Sequence, residues 1–260
     1  MSEFVFKKKY GQNFLQDKNI IKKIANVTKT NKNDLIIEIG PGAGALTEEL
    51  IEKSQVLAYE IDNELEEILK EKFSNENFEL ILDDFLKRDI KKDIKSKEYD
   101  KLYIMANLPY YITTPIINKI ISDKLDVEKM VLMVQKEVGD RFTATTGTKD
   151  YSSITVFLNY FFDIKKEFIV SRNAFFPKPN VDSIIISFTK KETRNISKNE
   201  EILFKLIKDA FKQKRKTLKN NLKEYDFTKI EPILLKYNLP QDVRAEYLSL
   251  DIFIEISNIL

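Results

Sequence analysis

The fold of this chain is constrained most by a regular alternation of short apolar runs with helical patterns over its first two-thirds. Continuous apolar runs are typical of strands that are buried on both faces, and they occur at 35–39, 55–61, 78–82, 101–106 and 129–134. The segments between them, such as 45–53, 63–73 and the stretch TPIINKIIS, have helical character. Strands that alternate with helices predict an α/β fold, a mostly parallel sheet with helices on both faces.

The later part of the chain changes in pattern. Two more segments, 168–170 and 183–188, have strand character, and we expect the second to be a hairpin partner at the sheet edge. A polar stretch without periodicity follows Lys190 and is typical of a linker, after which only helical periods remain. One apolar stripe of this region contains Ile207, Phe211, Leu218 and Leu222. The sequence therefore predicts an α/β domain over 1–190 and a small all-helical domain over 191–260.

The composition narrows the chemistry that is open to the chain, because its 260 residues include no histidine, no cysteine and no tryptophan. This excludes a Ser-His-Asp triad, a cysteine nucleophile, a disulfide framework and an ordinary structural zinc site. Catalysis must therefore use carboxylates, amides, hydroxyls, lysines or a cofactor. Gly40, Gly42 and Gly44 are half of the six glycines, and such a cluster indicates close backbone approach to a ligand.

The glycine cluster lies in IIEIGPGAGALTEEL (residues 36–50), which has the order strand, glycine turn, helix but lacks G-x-G-x-x-G spacing. Glu60 follows Gly40 by 20 residues at the end of the second strand, where a carboxylate can accept both hydroxyls of a ribose. Asp84, after the third strand, can accept from an adenine amino group, although chemistry alone does not separate it from Asp83. These residues predict a site for an adenosine-type ligand; a tight turn beside a solvated glutamate is the alternative.

The segment MANLPYYITTPII (residues 105–117) places an amide, a proline-restricted turn and an aromatic ring at the same sheet edge. The amide oxygen of Asn107 and a nearby backbone carbonyl can accept both hydrogens of an exocyclic amine and direct its lone pair at a methyl sulfonium. Tyr110 can stack on the base. Such a site needs no histidine, because an alkylated amine is acidic enough to lose its proton to water. The alternative is a plain strand-to-helix loop with a buried tyrosine.

Positive charge is concentrated in two segments of a chain whose formal net charge is only +2. Residues 7–23 carry a net charge of +5 and residues 205–223 carry +7, so the remainder is acidic. This distribution is typical of a protein with a polyanionic partner, and solvated lysine faces are the alternative. No apolar run reaches the roughly 18 residues of a membrane span, and the N-terminus lacks a signal-peptide pattern. We therefore expect a cytoplasmic protein that does not cross a membrane.

Taken in order, the motifs resemble those of the ribosomal RNA adenine N(6),N(6)-dimethyltransferases of the KsgA type, which are class I S-adenosylmethionine-dependent enzymes. The matching segments are YGQNFL (10–15), EIGPGAGALT (38–47), YEID (59–62), DDFL (83–86), ANLPYYITTP (106–115), QKEVGDRF (135–142), AFFPKPNVDS (174–183), AFKQKRKTLKNNL (210–222) and RAEYLSLDIF (244–253). The resemblance implies a Rossmann-like, mostly parallel seven-stranded sheet that binds S-adenosyl-L-methionine and catalyses the reaction, followed by a helical RNA-binding domain.

The resemblance also implies which residues bind the cofactor. Asn13 and Leu15 match residues that close over it, and Gly40 and Gly42 match the turn beside its methionine part. Glu60 matches the ribose ligand, and Asp84, rather than Asp83, matches the carboxylate that binds the cofactor's adenine.

The same resemblance assigns the target-adenine site and the RNA contacts. Asn107, which also lies beside the cofactor, matches the target-amine site together with Leu108 and Pro109. Tyr110 and Phe175 match the two aromatics that hold the flipped adenine, and Phe176 is expected to pack in the core more than Phe175. The residues expected to meet RNA phosphates are Lys212, Lys214, Arg215, Lys216 and Lys219.

The substrate that the resemblance implies is 16S rRNA in the small ribosomal subunit or its precursor. Two adjacent adenosines in a hairpin loop near the 3′ end would be dimethylated during subunit biogenesis, with S-adenosyl-L-homocysteine as the product of the cofactor. No metal is expected, and a monomer is the simplest expectation.

Particular residues distinguish this function from three alternatives. An Erm-type 23S rRNA methyltransferase shares the cofactor motifs, but its amine motif usually reads N-I-P-Y where this chain has N-L-P-Y. A non-catalytic RNA-binding assembly factor on the same scaffold would not need the intact Glu60 and Asp84. A nicotinamide dehydrogenase is disfavoured by the missing G-x-G-x-x-G.

Overall fold

A computed structural model describes residues 14–74, 77–107, 112–192 and 195–260 of the chain. The strands are β1 (Phe14–Leu15), β2 (Leu35–Ile39), β3 (Gln55–Glu60), β4 (Phe78–Leu82), β5 (Leu102–Asn107), β6 (Val127–Gln135), β7 (Phe162–Val170), β8 (Phe175–Phe176) and β9 (Ser183–Lys190). The helices are α1 (Lys18–Ala25), α2 (Ala45–Ile51), α3 (Glu66–Lys72), α4 (Ile90–Asp93), α5 (Thr113–Ser122), α6 (Lys136–Phe142), α7 (Ser153–Phe161), α8 (Glu200–Ala210), α9 (Leu218–Asn221), α10 (Phe227–Lys236) and α11 (Leu250–Ser257).

Seven strands form one sheet in the order β4-β3-β2-β5-β6-β9-β7. The first five run parallel to one another, and β9 is antiparallel to β6. This confirms the predicted Rossmann-like α/β fold. The chain moves outward from β2 to β4 and then restarts on the other side of β2 with β5. Ligands of open α/β sheets bind outside the carboxyl ends of the strands at such a reversal. The topology therefore predicts a ligand site at the carboxyl ends of β2 and β5.

The position predicted for the 183–188 strand is wrong, because β9 lies inside the sheet and β7 forms the edge. The first six residues of β9 are all buried, whereas β7 reads FDIKKEFIV and exposes charged side chains. In a sheet that helices cover on both faces, an inner strand is buried on both sides, while an edge strand tolerates lysines that discourage pairing with other chains.

The polypeptide divides into two compact units. The first contains the described residues up to Gly139 together with Lys165–Thr189, and the second contains Asp140–Ile164 together with Lys190–Leu260. Segment 140–164, which lies in the predicted first domain, thus groups with the C-terminal helices. The assignment of 1–190 to catalysis and of 191–260 to RNA binding stays a prediction.

The second unit is built from helices around its own core. Residues from α7, α8, α10 and α11 fill this core, among them Val156, Leu206, Ile230 and Phe253. Three residues of the predicted apolar stripe, Ile207, Leu218 and Leu222, are buried in it and Phe211 packs against it. The stripe is not one continuous helix, because α8 ends at Ala210 and α9 begins at Leu218.

Candidate active site

Residues at or just after the carboxyl ends of four neighbouring strands lie at one edge of the sheet in the first unit. Ile39 of β2 is paired with Tyr59 of β3 and with Ala106 of β5, and Glu60 is paired with Leu82 of β4. Because these strands are parallel and in this register, their carboxyl ends coincide. The turn at Gly40, the side chains of Glu60 and Asp84, and the end of β5 at Asn107 therefore share this edge, which we call the ligand edge.

The glycine turn after β2 has a backbone that other residues adopt only with strain. Gly40, Gly42 and Gly44 have φ angles of 70°, 58° and 78°, all in the left-handed region that favours glycine. At Gly44 a Cβ atom would also lie 2.3 Å from Cε2 of Phe73. The turn thus presents bare backbone directly before α2.

The Glu60 carboxylate is fixed against this turn. One oxygen accepts from the N–H of Gly42 at 3.1 Å, and the other accepts from the N–H groups of Ile61 and Asp62 at 2.9 and 3.0 Å. The side chain is 4% exposed. Burial raises the pKa of Glu60 above its ordinary value, although the three N–H groups oppose that shift. The result is an oriented acceptor at the end of β3, linked directly to the backbone of the glycine turn.

A second buried carboxyl group, Glu38, is the next-to-last residue of β2, and the sequence reasoning did not single it out. It is 1% exposed and accepts a hydrogen bond of 2.7 Å from the hydroxyl of Thr47 in α2. Burial raises the pKa of Glu38 to about 8, and the charge of Glu60 adds to the rise. The signal was present in the sequence, since one acidic residue interrupts the otherwise apolar run LIIEI.

The structure separates the two neighbouring aspartates after β4. Asp83 accepts from the N–H of Asp84 at 2.7 Å and lies 3.5 Å from the guanidinium of Arg88. Arg88 also pairs with Asp93, whose carboxylate accepts from the hydroxyl of Tyr59 at 3.0 Å. Asp83 therefore belongs to a cluster of charged side chains.

Asp84 is held differently. One of its carboxylate oxygens accepts from the N–H of Leu86 at 3.0 Å and so begins a short helical turn. The other oxygen lies 3.8 Å from the exposed ammonium group of Lys87. A hydrogen-bond donor of a ligand would therefore compete with weaker contacts at the carboxylate of Asp84 than at that of Asp83.

Two distant motifs meet in the small sheet formed by β1 and β8. Leu15 is paired with Phe175, and Phe14 with Phe176, in antiparallel register. Leu15 and Phe175 are 7% and 5% exposed and pack in the core of the first unit. The expectation that Phe176 is the more buried phenylalanine is wrong, because Phe176 is 51% exposed. Successive residues of a strand point to opposite faces, so burial of Phe175 turns Phe176 outward.

Several predicted site residues lie outside the described residues, namely Asn13, Leu108, Pro109 and Tyr110. The structure describes the residues on both sides of 108–111. Asn107 is half-buried as the last residue of β5, paired with Met133 of β6. Thr113 begins α5 with a buried hydroxyl that has no hydrogen-bond partner among the described residues. Such a group is costly to bury, and it lies six residues from Asn107 in the chain.

The basic residues expected to meet RNA lie in the second unit. Lys212, Lys214, Arg215 and Lys216 are exposed on the loop between α8 and α9, and Lys219 is exposed on α9. The ammonium group of Lys214 donates to the backbone carbonyl of Lys149. That of Lys219 lies 3.5 Å from Glu231 and 5.3 Å from the ring centroid of Phe227.

Neither a metal-binding cluster nor a membrane-spanning helix occurs in the part of the chain that the structure describes. Across 14–74, 77–107, 112–192 and 195–260 there is no group of three or more acidic residues that is arranged to hold a metal ion. Within the same ranges, every helix is too short or too polar to cross a membrane.

Comparison with known proteins gives consistent matches over the whole chain. Residues 3–260 match the family model of the ribosomal RNA adenine dimethylases. The chain is 45% identical to "Ribosomal RNA small subunit methyltransferase A" of Mycoplasma mobile, over 95% of both chains. It is 43% identical to the protein of the same name from Fusobacterium nucleatum, over 99% of this chain and 98% of the other.

Solved structures match in fold over nearly the same extent. A dimethyladenosine transferase from Plasmodium falciparum superimposes with a TM-score of 0.79 and 27% identity, covering 94% of this chain and 95% of the other. The 23S rRNA methyltransferase ErmE superimposes with a TM-score of 0.76 and 25% identity, covering 94% and 98%.

Proposed function

This chain belongs to the ribosomal RNA adenine dimethylase family, and on that premise we propose that it methylates adenosines of small-subunit ribosomal RNA. The methyl donor is S-adenosyl-L-methionine, and the products are N6,N6-dimethyladenosine and S-adenosyl-L-homocysteine. The proposed targets are two adjacent adenosines in a hairpin loop near the 3′ end of 16S rRNA, modified during subunit assembly in the cytoplasm. The observation that carries the proposal is the convergence of Gly40, Glu60, Asp84 and Asn107 on the ligand edge of a chain with these relatives.

The cofactor fits the groups at the ligand edge. S-adenosylmethionine supplies an activated methyl group on a sulfonium. The Glu60 carboxylate would accept the ribose hydroxyls, and its bond to the N–H of Gly42 ties that acceptor to the glycine turn. The backbone at Gly40 and Gly42 would admit the methionine part without side-chain interference, and Asp84 would accept from the adenine amine. Asn13 and Leu15 would close over the cofactor, with Leu15 anchored by its pairing to Phe175.

The chain's part in the reaction is to orient the target amine. The Oδ1 atom of Asn107, at the end of β5, would accept one N–H of the adenine amine and so hold its lone pair toward the methyl group. Leu108 and Pro109 would shape the backbone that accepts the second N–H. Tyr110 would stack on the base, and Phe175 would complete the sandwich if its ring becomes uncovered on RNA binding, since it is 5% exposed here.

The basic residues Lys212, Lys214, Arg215, Lys216 and Lys219 are proposed to neutralise phosphates of the folded RNA. Affinity for the particle should therefore fall steeply as salt is raised. The target adenine must leave its stack to reach the ligand edge, which costs a few kcal/mol and favours a base in an exposed loop. The chain acts as a monomer in this proposal, without a metal.

The test supplies methyl-labelled cofactor to the full chain with unmethylated small-subunit particles and analyses the nucleosides. We expect labelled dimethyladenosine near the 3′ end of 16S rRNA and none in large-subunit particles. A folded chain that binds the cofactor but makes no dimethyladenosine would point to a non-catalytic assembly factor, and label in 23S rRNA would point to the Erm-type activity.

The variant Asn107→Ala tests the proposed role of the amide. Methylation should fall at least 100-fold, because an interaction with the reacting amine is removed. Cofactor affinity, measured by calorimetry, should change less than about threefold. Equal losses of both would show that Asn107 serves the cofactor site instead.

A further inference from the structure

One side chain ties together the loop that carries most of the basic residues. We call residues 211–217, between α8 and α9, the basic loop. The Nδ2 group of Asn221 donates to the carbonyl of Ala210 at 2.7 Å and to that of Gln213 at 3.1 Å. Its Oδ1 atom accepts from the N–H of Gln213 at 3.2 Å. The amide thus bonds the last residue of α8 and the middle of the basic loop from the far side of the loop.

The bonds of Asn221 satisfy backbone groups at the end of α8 that lack a partner within the helix. The last carbonyls of a helix have no partner inside the helix, and Asn221 supplies one for Ala210. The basic loop itself has short-range bonds, from Lys212 N–H to Asp209 and from Lys216 N–H to Gln213, at 3.1 and 3.0 Å. These form local turns within the loop. Beyond it, the ammonium group of Lys214 donates to the carbonyl of Lys149, but that contact comes from an exposed side chain, whereas Asn221 bonds the backbone of the loop itself.

The base from which Asn221 reaches is itself anchored. Leu218, at the start of α9, is buried in the core, and its N–H donates to the carbonyl of Val243 at 2.7 Å. Thr217 caps α9 by accepting from the N–H of Asn220 at 3.3 Å. Because α9 has only four residues, it is too short to be stable alone and depends on these contacts. Because α9 is held in place, the bonds of Asn221 to Ala210 and Gln213 also hold the basic loop in place.

We propose that Asn221 is a positioning residue for RNA binding, which holds the basic loop so that Lys212, Arg215 and Lys216 present their charges in a fixed array. The inference rests on the proposed function, because it takes rRNA phosphates as the partner of this loop. Like charges repel one another, so a released loop would spread its cations. Binding would then have to order the loop at an entropic cost and would engage fewer phosphates at once.

The test compares four variants of the full chain with the wild type. Asn221→Ala removes all three bonds, and Asn221→Asp keeps the acceptor but removes both donor bonds. Asn220→Ala and Asn220→Asp are the matched controls, since the neighbouring Asn220 is exposed on α9 and the two Asp variants change the charge equally. The measurements are affinity for unmethylated small-subunit particles over a salt series, KM and kcat for methylation, and hydrogen exchange of the basic-loop amides.

We expect Asn221→Ala to weaken particle binding about 3–10-fold, with no change in net charge. The slope of log affinity against log salt should become shallower by about 0.7–0.9 for each phosphate that the loop no longer neutralises. KM for the particle should rise while kcat and the KM for the cofactor stay constant, and loop amides should exchange faster. Asn221→Asp should bind more weakly than Asn220→Asp, and Asn220→Ala should resemble the wild type.

The outcomes separate this inference from the function on which it rests. If the wild type binds the particle without salt dependence, the proposed RNA-binding role of the loop fails, and the inference fails with it. If wild-type binding depends on salt and Asn221→Ala keeps the same slope and the same amide exchange, only the role of Asn221 is refuted. Equal effects of the Asn220 and Asn221 variants would refute it as well.

Discussion

Replacing the buried carboxyl of Glu38 should make the protein more stable: we expect Glu38→Gln to raise the free energy of unfolding near neutral pH. Glu38 lies in β2, between β3 and β5, and burial raises its pKa from 4.5 to about 8. Between those two pH values the unfolded chain has released the proton while the folded chain retains it. At Glu38 the folded state therefore binds more protons than the unfolded state. The contribution of this group to the free energy of unfolding falls as pH rises through this window.

The size of the effect follows from the two pKa values. Each pH unit well inside the window lowers the free energy of unfolding by about 1.4 kcal/mol. From pH 5 to pH 8, with rounding near each pKa, the loss amounts to about 3–4 kcal/mol. Glutamine does not ionise, and its carbonyl can still accept from the hydroxyl of Thr47, the bond that measures 2.7 Å in the wild type. The variant should lack this loss and should equal the wild type only at low pH.

Urea unfolding followed by circular dichroism at pH 5, 6, 7 and 8 measures the effect, since the chain has no tryptophan to report by fluorescence. The quantity of interest is the difference between variant and wild type at each pH, because the other titrating groups are common to both. We expect the difference to grow in favour of Glu38→Gln as pH rises. A difference that stays constant across the series would refute the buried, protonated state of Glu38.

Two further substitutions, each with a matched control substitution, test the ligand edge. Gly44→Ala should lower the free energy of unfolding by about 2–4 kcal/mol through left-handed strain and the 2.3 Å approach to Phe73, measured in the same urea assay. Gly147→Ala shares a positive φ but meets Tyr247 no closer than 3.7 Å, so it should cost only about 1 kcal/mol; equal costs would exclude the Phe73 contact as a cause. Asp84→Asn should weaken cofactor binding, measured by calorimetry, about 10-fold, which is a loss typical of a hydrogen bond to a charged group. The control Asp83→Asn removes an exposed contact to Arg88 and should change the affinity for the cofactor less than twofold. The reverse order would assign the adenine to Asp83.

The inner strands were predictable because they are bounded apolar runs. β2 and β4 have the predicted limits, and β5 differs from its prediction by one residue at each end. The order of strands in the sheet is a different kind of information, since periodicity reports burial but not neighbours. The contrast between the apolar β9 and the charged β7 nevertheless indicates which of the two lies inside.

The helical region shows where a one-dimensional pattern misleads. The spacing of Ile207, Leu218 and Leu222 correctly predicts burial, yet the backbone between them leaves the helix at Ala210. No glycine or proline marks the break. The local signal is Thr217, a side chain that caps a new helix. It follows a run of cations whose mutual repulsion disfavours consecutive helical turns.

The ligand edge was predictable in its members but not in their connections. Gly40, Glu60, Asp84 and Asn107 lie at or just after the ends of strands in the sequence, and a parallel sheet necessarily brings them to one side. Glu60 accepts a hydrogen bond from the glycine turn, and Asp83 forms an ion pair with Arg88. Both contacts depend on side-chain geometry that the periodicity of the sequence does not report. Burial of Glu38 depends likewise on strands that flank it from elsewhere in the chain.

The chain has no histidine, and the carboxyl groups near the ligand edge do not take the place of one. Of the carboxyl groups described at or beside the ligand edge, Glu60 is held by three backbone N–H groups, Glu38 is enclosed with Thr47, and Asp84 caps a turn. Each is fixed for binding or for structure rather than placed to carry a proton away. In the proposed reaction no such carrier is required, because the amine becomes a strong acid once it is methylated and gives its proton to water. The chain's contribution is then to hold donor and amine in line, an effect of orientation, while the cofactor supplies the reactive group.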